Sequence, residues 1–414
     1  MRVNNTIAGI AAAAVVIAAL GSGPAADAGP VDYVMVSVGD PGNAPDASGY
    51  GAVAEAFRIG KHEVTAGQYA AFLNAVAKSD PHSLWSPSMA SDPNVAGIAR
   101  AGESGAYSYR VIDNNGSSAN RPIAHVSWFD AARFANWMHN GQGEGGTETG
   151  AYTLVDGQTS GIAPAKNPGA RFFLPTEDQW YKAAYYKGGG RDAGYWIYAT
   201  QSDEKPGNRV GGEPNQANYA PGGVFSVTQA IEEPSRNHLS DVGAFTNSRG
   251  PYGTFDQSGN VSEWNDLDGA AAPSRGRRGD RWVTPDPYGL SRGFREAADA
   301  SYADGGIGFR LAGPALESAT AIDGIDGGSG VGSPGAGSHR IGSDSVEPQR
   351  SGAGLPQGGV GPHRPGPDFP DGDWDAPRRP TTHSTGTPST ANDARRAPDG
   401  GRPRGRWLYR FRRR

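Results

Sequence analysis

In R-P-I-A-H-V-S-W-F-D-A-A-R-F-A-N-W, residues 121–137, Ser127 and Asp130 open a helix. Serine followed three positions later by an acid is a capping pair, each side chain closing a free backbone N–H of the first turn. Phe134, Trp137 and Met138 then fall on one face. The same device recurs on both sides of this stretch. Thr65 and Gln68 open a helix carrying Tyr69, Phe72, Leu73 and Val76 at helical spacing. Thr176 and Gln179 open T-E-D-Q-W-Y-K-A-A-Y-Y, with Trp180, Ala183 and Ala184 inward. Tyr33 to Val38 alternates as a strand and ends at the Gly39-Asp40-Pro41-Gly42 turn; Phe57 to Ile59 reads as a second strand. Three helices among long loops give little regular structure, a balance that survives where loops carry function or bind ions. No internal repeat appears, so the pieces read as one domain.

Composition agrees. The chain has 414 residues, 63 of them Gly and 32 Pro, and only 36% are hydrophobic, which excludes a helical bundle or coiled coil. The net charge of -5 argues against nucleic acid as a partner. Cysteine is absent, so disulfides, thiolate metal sites and thiol nucleophiles are impossible.

The two ends differ from the body. Residues 1–28 read as a signal peptide: Arg2, an apolar run from Ile7 to Leu20, then Ala26-Asp27-Ala28. The expected location is secreted or cell envelope. Residues 314–414 hold 13 Pro and 19 Gly without apolar runs and read as a disordered tail, with seven Arg between Arg402 and Arg414. Membrane contact is expected only through the signal segment or this basic tail. The tail carries +3 and the rest of the chain -8. The domain is placed at 29–313.

Five blocks within that domain resemble the formylglycine-generating enzyme, or sulfatase-modifying factor, family. They are F-R-I-G-K-H-E-V-T-A-G-Q-Y (57–69), the 121–137 stretch, F-F-L-P-T-E-D-Q-W-Y-K-A-A (172–184), Y-G-T-F-D-Q-S-G-N-V-S-E-W (252–264) and G-I-G-F-R-L-A (306–312), in family order. The resemblance implies an α+β domain, related to C-type lectins, with low regular secondary structure. It also implies structural Ca²⁺ held by Asp256, the Gly259 and Val261 carbonyls and Glu263, with a possible second site at Asn218 and the Tyr219 carbonyl. Hard oxygen donors around a glycine turn suit that ion.

The resemblance fails at the catalytic segment. Active family members bind Cu(I) through two cysteines in a segment like R-G-G-S-Y-x-C-x4-C. Here it reads R-G-D-R-W-V-T-P-D-P-Y-G-L (278–290): Asp280 and Arg281 replace Gly and Ser, and Thr284 and Gly289 stand at the cysteine positions. Neither supplies the soft ligand Cu(I) requires, which argues against copper and against any catalytic residue here. His125 reads as a packed or hydrogen-bonded histidine, and Glu177 and Asp178 as acids favoured at a helix N-terminus. No H-E-x-x-H or G-x-S-x-G motif appears. The expectation is a non-catalytic scaffold for a peptide, protein or glycan, with Arg281, Trp282, Thr284, Tyr288 and Gly289 in its cleft. The alternative, which the resemblance implies, is an oxidase converting a sulfatase cysteine to formylglycine.

Overall fold

Each of the three capping pairs opens a helix at the residue after its cap. The computed structural model describes residues 30–316, apart from 156 and 232–234, so the expected signal peptide and nearly all of the expected tail lie outside the described residues. In chain order the elements are β1 (Met35–Val38), β2 (Phe57–Gly60), α1 (Ala66–Val76), α2 (Ser88–Ser91), β3 (Ile98–Ala101), β4 (Ser108–Val111), α3 (Trp128–His139), α4 (Glu177–Tyr185), β5 (Ser262–Asn265), β6 (Ser274–Arg278), β7 (Glu296–Asp299), β8 (Ile307–Gly308) and β9 (Ala312–Pro314). Reciprocal capping bonds close the N-termini of α1, α3 and α4. From Tyr186 to Val261 the described residues form neither strand nor α-helix.

Three small sheets tie distant segments together. β2 lies between β1 and β9, antiparallel to both, so the two ends of the domain are neighbours. The pairing of Phe57 with Pro314 carries the fold just past the expected boundary at Gly313. β3 and β4 form an antiparallel pair. The third sheet runs β7-β6-β5-β8, parallel only between β5 and β8.

α3 sits at the centre of the core. The expected single apolar face is too narrow a description, because every residue from Trp128 to Met138 is buried. Phe134 packs edge-on against Phe72 at 5.3 Å and Phe309 at 5.5 Å between ring centres. Asp130 is held by Ser127 at the helix start, and two further polar side chains of this helix find partners in the following loop. Arg133 Nε donates to Glu148 Oε1 at 2.6 Å, and Asn136 Nδ2 donates to the Thr147 carbonyl at 2.6 Å. Pairing of this kind is what makes burial of such groups tolerable.

α4 corrects a second expectation. Glu177 is buried and held by two arginines, Arg278 Nε at 2.8 Å and Arg295 Nε at 2.9 Å. Burial alone would raise its pKa, but the two guanidinium groups bring it below the usual glutamate value. Asp178 accepts from the Gly51 N–H at 3.0 Å. Both acids hold tertiary structure rather than merely facing the helix dipole.

Candidate functional site

β5, the final strand segment and the loop after α4 bring the expected calcium residues into one buried region. Glu263, on β5, is fully buried against Arg310. Arg310 Nε donates to Oε2 at 2.5 Å and the terminal nitrogen to Oε1 at 2.6 Å. Trp180 Nε1 donates to Oε2 as well, at 2.8 Å. Both carboxylate oxygens therefore already serve a cation and an indole. Asp256 accepts from the Gly243 N–H at 2.6 Å and faces Glu63, whose Oε2 lies 3.9 Å from Arg310. Burial, then hydrogen bonding and charge from its neighbours, leave Asp256 with a pKa raised to about 6. Glu63 is raised well above the glutamate value by burial and by Asp256. Three carboxylates, Glu63, Asp256 and Glu263, thus gather around Arg310. Among the described residues no group of three or more His, Asp or Glu side chains is arranged to hold a metal. Of the expected set Asp256, Gly259, Val261 and Glu263, the Glu263 carboxylate already serves Arg310 and Trp180 and would have to be shared with Ca²⁺.

The Gly259 turn has a different task. At φ +92°, a Cβ there would stand 2.2 Å from the Asn218 carbonyl oxygen, so only glycine lets the two backbones meet. The Asn260 N–H donates to that carbonyl at 2.8 Å. Asn218 Nδ2 donates to the His238 carbonyl and to Asn260 Oδ1, both at 2.9 Å, while its Oδ1 is buried without a hydrogen-bond partner. That oxygen fits a ligand of the second expected site. The Tyr219 carbonyl already accepts from Ser226 Oγ at 2.8 Å.

The 278–290 segment begins at Arg278, the last residue of β6. Trp282 is buried: it stacks on His238 at 5.1 Å between ring centres, joins a cluster with Val95, Leu239 and Val261, and donates from Nε1 to the Gly305 carbonyl. Arg281 is tied to Asp304 at 2.7 Å. These two expected cleft residues thus serve packing and a local ion pair. Thr284 and Gly289 are buried. A Cβ added to Gly289 would stand 1.8 Å from Asp280 Oδ2 and 3.1 Å from Thr284 Cγ2. Burial raises the Asp280 pKa, opposed in part by the neighbouring Thr284 and Arg281. The positions resembling a thiolate pair thus hold the Thr284 hydroxyl and a glycine whose side-chain space abuts the Asp280 carboxylate, and these hard oxygen donors do not fit copper.

Tyr288 is the most exposed of the expected cleft residues, at 59%. It lines a groove of about 540 Å³ with Ile197, Tyr198, Lys205, Asp286 and Arg292. A second groove of about 430 Å³, with Lys187, Arg191 and Asp192, shares Asp46, Ala47 and Arg292 with the first. Arg292 lies 3.4 Å from Asp46 at their junction. A separate cleft of about 600 Å³ is lined by Asp32, His62, Glu63 and Asp241. There burial, Arg310 and Lys61 lower the His62 pKa to about 4, so its imidazole is neutral. His125, as expected, is hydrogen-bonded, its Nε2 3.0 Å from Asp92 Oδ2.

Residues 36–315 match the sulfatase-modifying factor enzyme 1-like domain. The chain belongs to this sulfatase-modifying factor family. Solved structures with likeness to it include CarF, at 21% identity and TM-score 0.42 over 69% of this chain and 99% of that one. Variable protein 1 of Treponema denticola gives 20% identity and TM-score 0.42 over 69% and 97% of the two chains. PvdO from Pseudomonas aeruginosa gives 17% and 0.36 over 68% and 92%. No curated protein sequence matches the chain. In this sulfatase-modifying factor domain, sequence reasoning missed Glu63, Asp280 and Arg310 as charged partners. The first and third lay inside recognised blocks as mere motif letters. Asp280 carried a usable signal, an acid in place of glycine close to two other replacements.

Proposed function

We propose that this domain is a non-catalytic binding scaffold whose groove at Tyr288 and Arg292 takes an extended peptide segment of a partner protein. The observation that carries the reading is the position of the groove. It is walled by Asp286, Pro287 and Tyr288, inside the segment where Thr284 and Gly289 stand at the cysteine positions. Ile197, Tyr198 and Pro287 offer apolar surface, and Lys205, Arg292 and Asp286 offer both signs of charge. An exposed aromatic beside arginine is the kind of pair that dominates contact energy at interfaces. The volume suits a few residues of an extended chain more than a large globular face. The signal-like N-terminus supports action outside the cytoplasm, where a cysteine-free domain meets peptides or surface proteins.

The oxidase alternative has a direct test. The full chain is incubated with a Cys-x-Pro-x-Arg peptide, copper, oxygen and a thiol reductant, and the peptide mass is followed beside a cysteine-containing family member. The expected result is an unchanged thiol; conversion to an aldehyde would overturn the reading. Binding is tested with a peptide library and a glycan array. Peptides retained by the parent and lost by Tyr288→Ala support the proposal. Retention of glycans alone rejects the peptide.

A further inference from the structure

The replacements at 280, 284 and 289 fit one another in space. Gly289 does not lie in the left-handed region, so its backbone accepts any residue. What forbids a side chain there is Asp280, with Oδ2 at 1.8 Å and Cγ at 2.9 Å from the Cβ position. A real Cβ does not approach a heavy atom so closely, so one group must leave. Asp280 is not free to swing out at no cost. The side chain is short, its Cγ as well as its Oδ2 lies within 3 Å of the Cβ position, and the half-buried residue sits on a backbone with φ +52°. The left-handed backbone at 280 is the conformation glycine adopts without strain, and glycine is the residue of the family-like R-G-G-S pattern at this position.

We infer that Asp280 occupies the volume of the residue-289 side chain, so that loss of the copper site is a three-residue exchange rather than two missing thiols. A side chain at 289 and a carboxylate at 280 exclude each other. Restoring cysteine at 284 and 289 alone therefore does not rebuild a two-thiolate site. Two sulfur ligands must approach one Cu(I) closely, while Asp280 keeps the second sulfur out of place. Removing the carboxylate opens the volume and relieves the positive-φ backbone in the same step. This inference goes beyond the groove and its occupant, and its test involves neither.

Cu(I) affinity is measured on the full chain, under reductant, by competition with a chromophoric Cu(I) chelator. The two variants are T284C/G289C and D280G/T284C/G289C. The triple variant is expected to bind at least about 10-fold more tightly than the double. Equal affinity in two folded variants would overturn the inference. Because the double variant can fail to fold, a thermal cycle without copper runs beside it. Gly289→Ala is expected to lower the melting temperature by about 5 °C or more in the parent. The same change made in Asp280→Gly is expected to lower it by less than about 2 °C. Equal losses in the two backgrounds would show that Asp280 is not what fills the space.

Discussion

Glu263 and Arg278 face each other across the β5–β6 pair, yet the regions beyond them behave oppositely. Glu263 belongs to a centre assembled from far-apart segments, with Arg310 near β9, Trp180 on α4 and Glu63 before α1. Beyond Arg278, Arg281 and Trp282 still reach Asp304, His238 and Gly305, but the turn through Gly289 is closed from within: Asp286 accepts from the Tyr288 N–H, and the Gly289 N–H donates to the Asp286 carbonyl. A centre tied to several distant segments cannot change one member without stranding the others. A turn closed by its own residues, as at 286–289, can change its side chains while the fold stands. The positions resembling the family's metal chemistry lie in the second kind of region, which explains how this chain retains the domain without the thiols.

The largest effect should come from breaking the first region. Glu263→Ala strands a buried guanidinium, at a cost of about 3–5 kcal/mol in urea unfolding. Because Glu263 serves Arg310, that loss is expected to be the same with calcium and with chelator; a loss seen only with calcium would restore the metal role. Glu177→Ala sits at the border between the regions, since it frees both Arg278 and Arg295. A cost of about 3 kcal/mol is expected, reduced if the carbonyls of Arg292 and Phe294 suffice for Arg278.

A pH-dependent effect comes next. Asp266 is buried beneath the Trp128 indole and the Tyr152 hydroxyl, and burial raises its pKa to about 6 despite Arg275. A raised folded value means its contribution is complete below the unfolded value and is lost as pH climbs through about 6. The stability of the parent relative to Asp266→Asn should therefore fall by about 2–3 kcal/mol between pH 4 and pH 7.5. A constant difference would show that the carboxyl titrates normally. The smallest effect marks the second region: Tyr288→Ala should change stability by no more than about 0.5 kcal/mol while abolishing peptide capture.

Local chemistry made the helices legible. Thr65-Gln68, Ser127-Asp130 and Thr176-Gln179 place three helix starts because a capping pair is decided within four residues. The strands were less legible: only β1 and β2 showed a pattern, while β8 is two residues long and pairs with a segment more than forty positions away. The direction of Trp282 was invisible, since an aromatic letter fits a core stack as well as a cleft. Glu177 looked like a helix-end acid because its partners, Arg278 and Arg295, come from about a hundred residues later. The candidate site was legible as a place, residues 278–290, but not as a volume. That Asp280 fills the space above Gly289 depends on a turn that only the folded chain displays.

Buried arginines clamp the loops of this domain by their carbonyls. Arg275 reaches Ala163 and Pro164, Arg278 reaches Arg292 and Phe294, and Arg310 reaches Gly60 and Phe255. In small secreted domains such cross-links are often disulfides, which form once and require an oxidant. Clamps of this kind carry no redox state. They form on either side of a membrane, ignore glutathione, and have no wrong pairing to be reshuffled. Unfolding and refolding should accordingly be indifferent to dithiothreitol, with the same stability in reducing and oxidising surroundings.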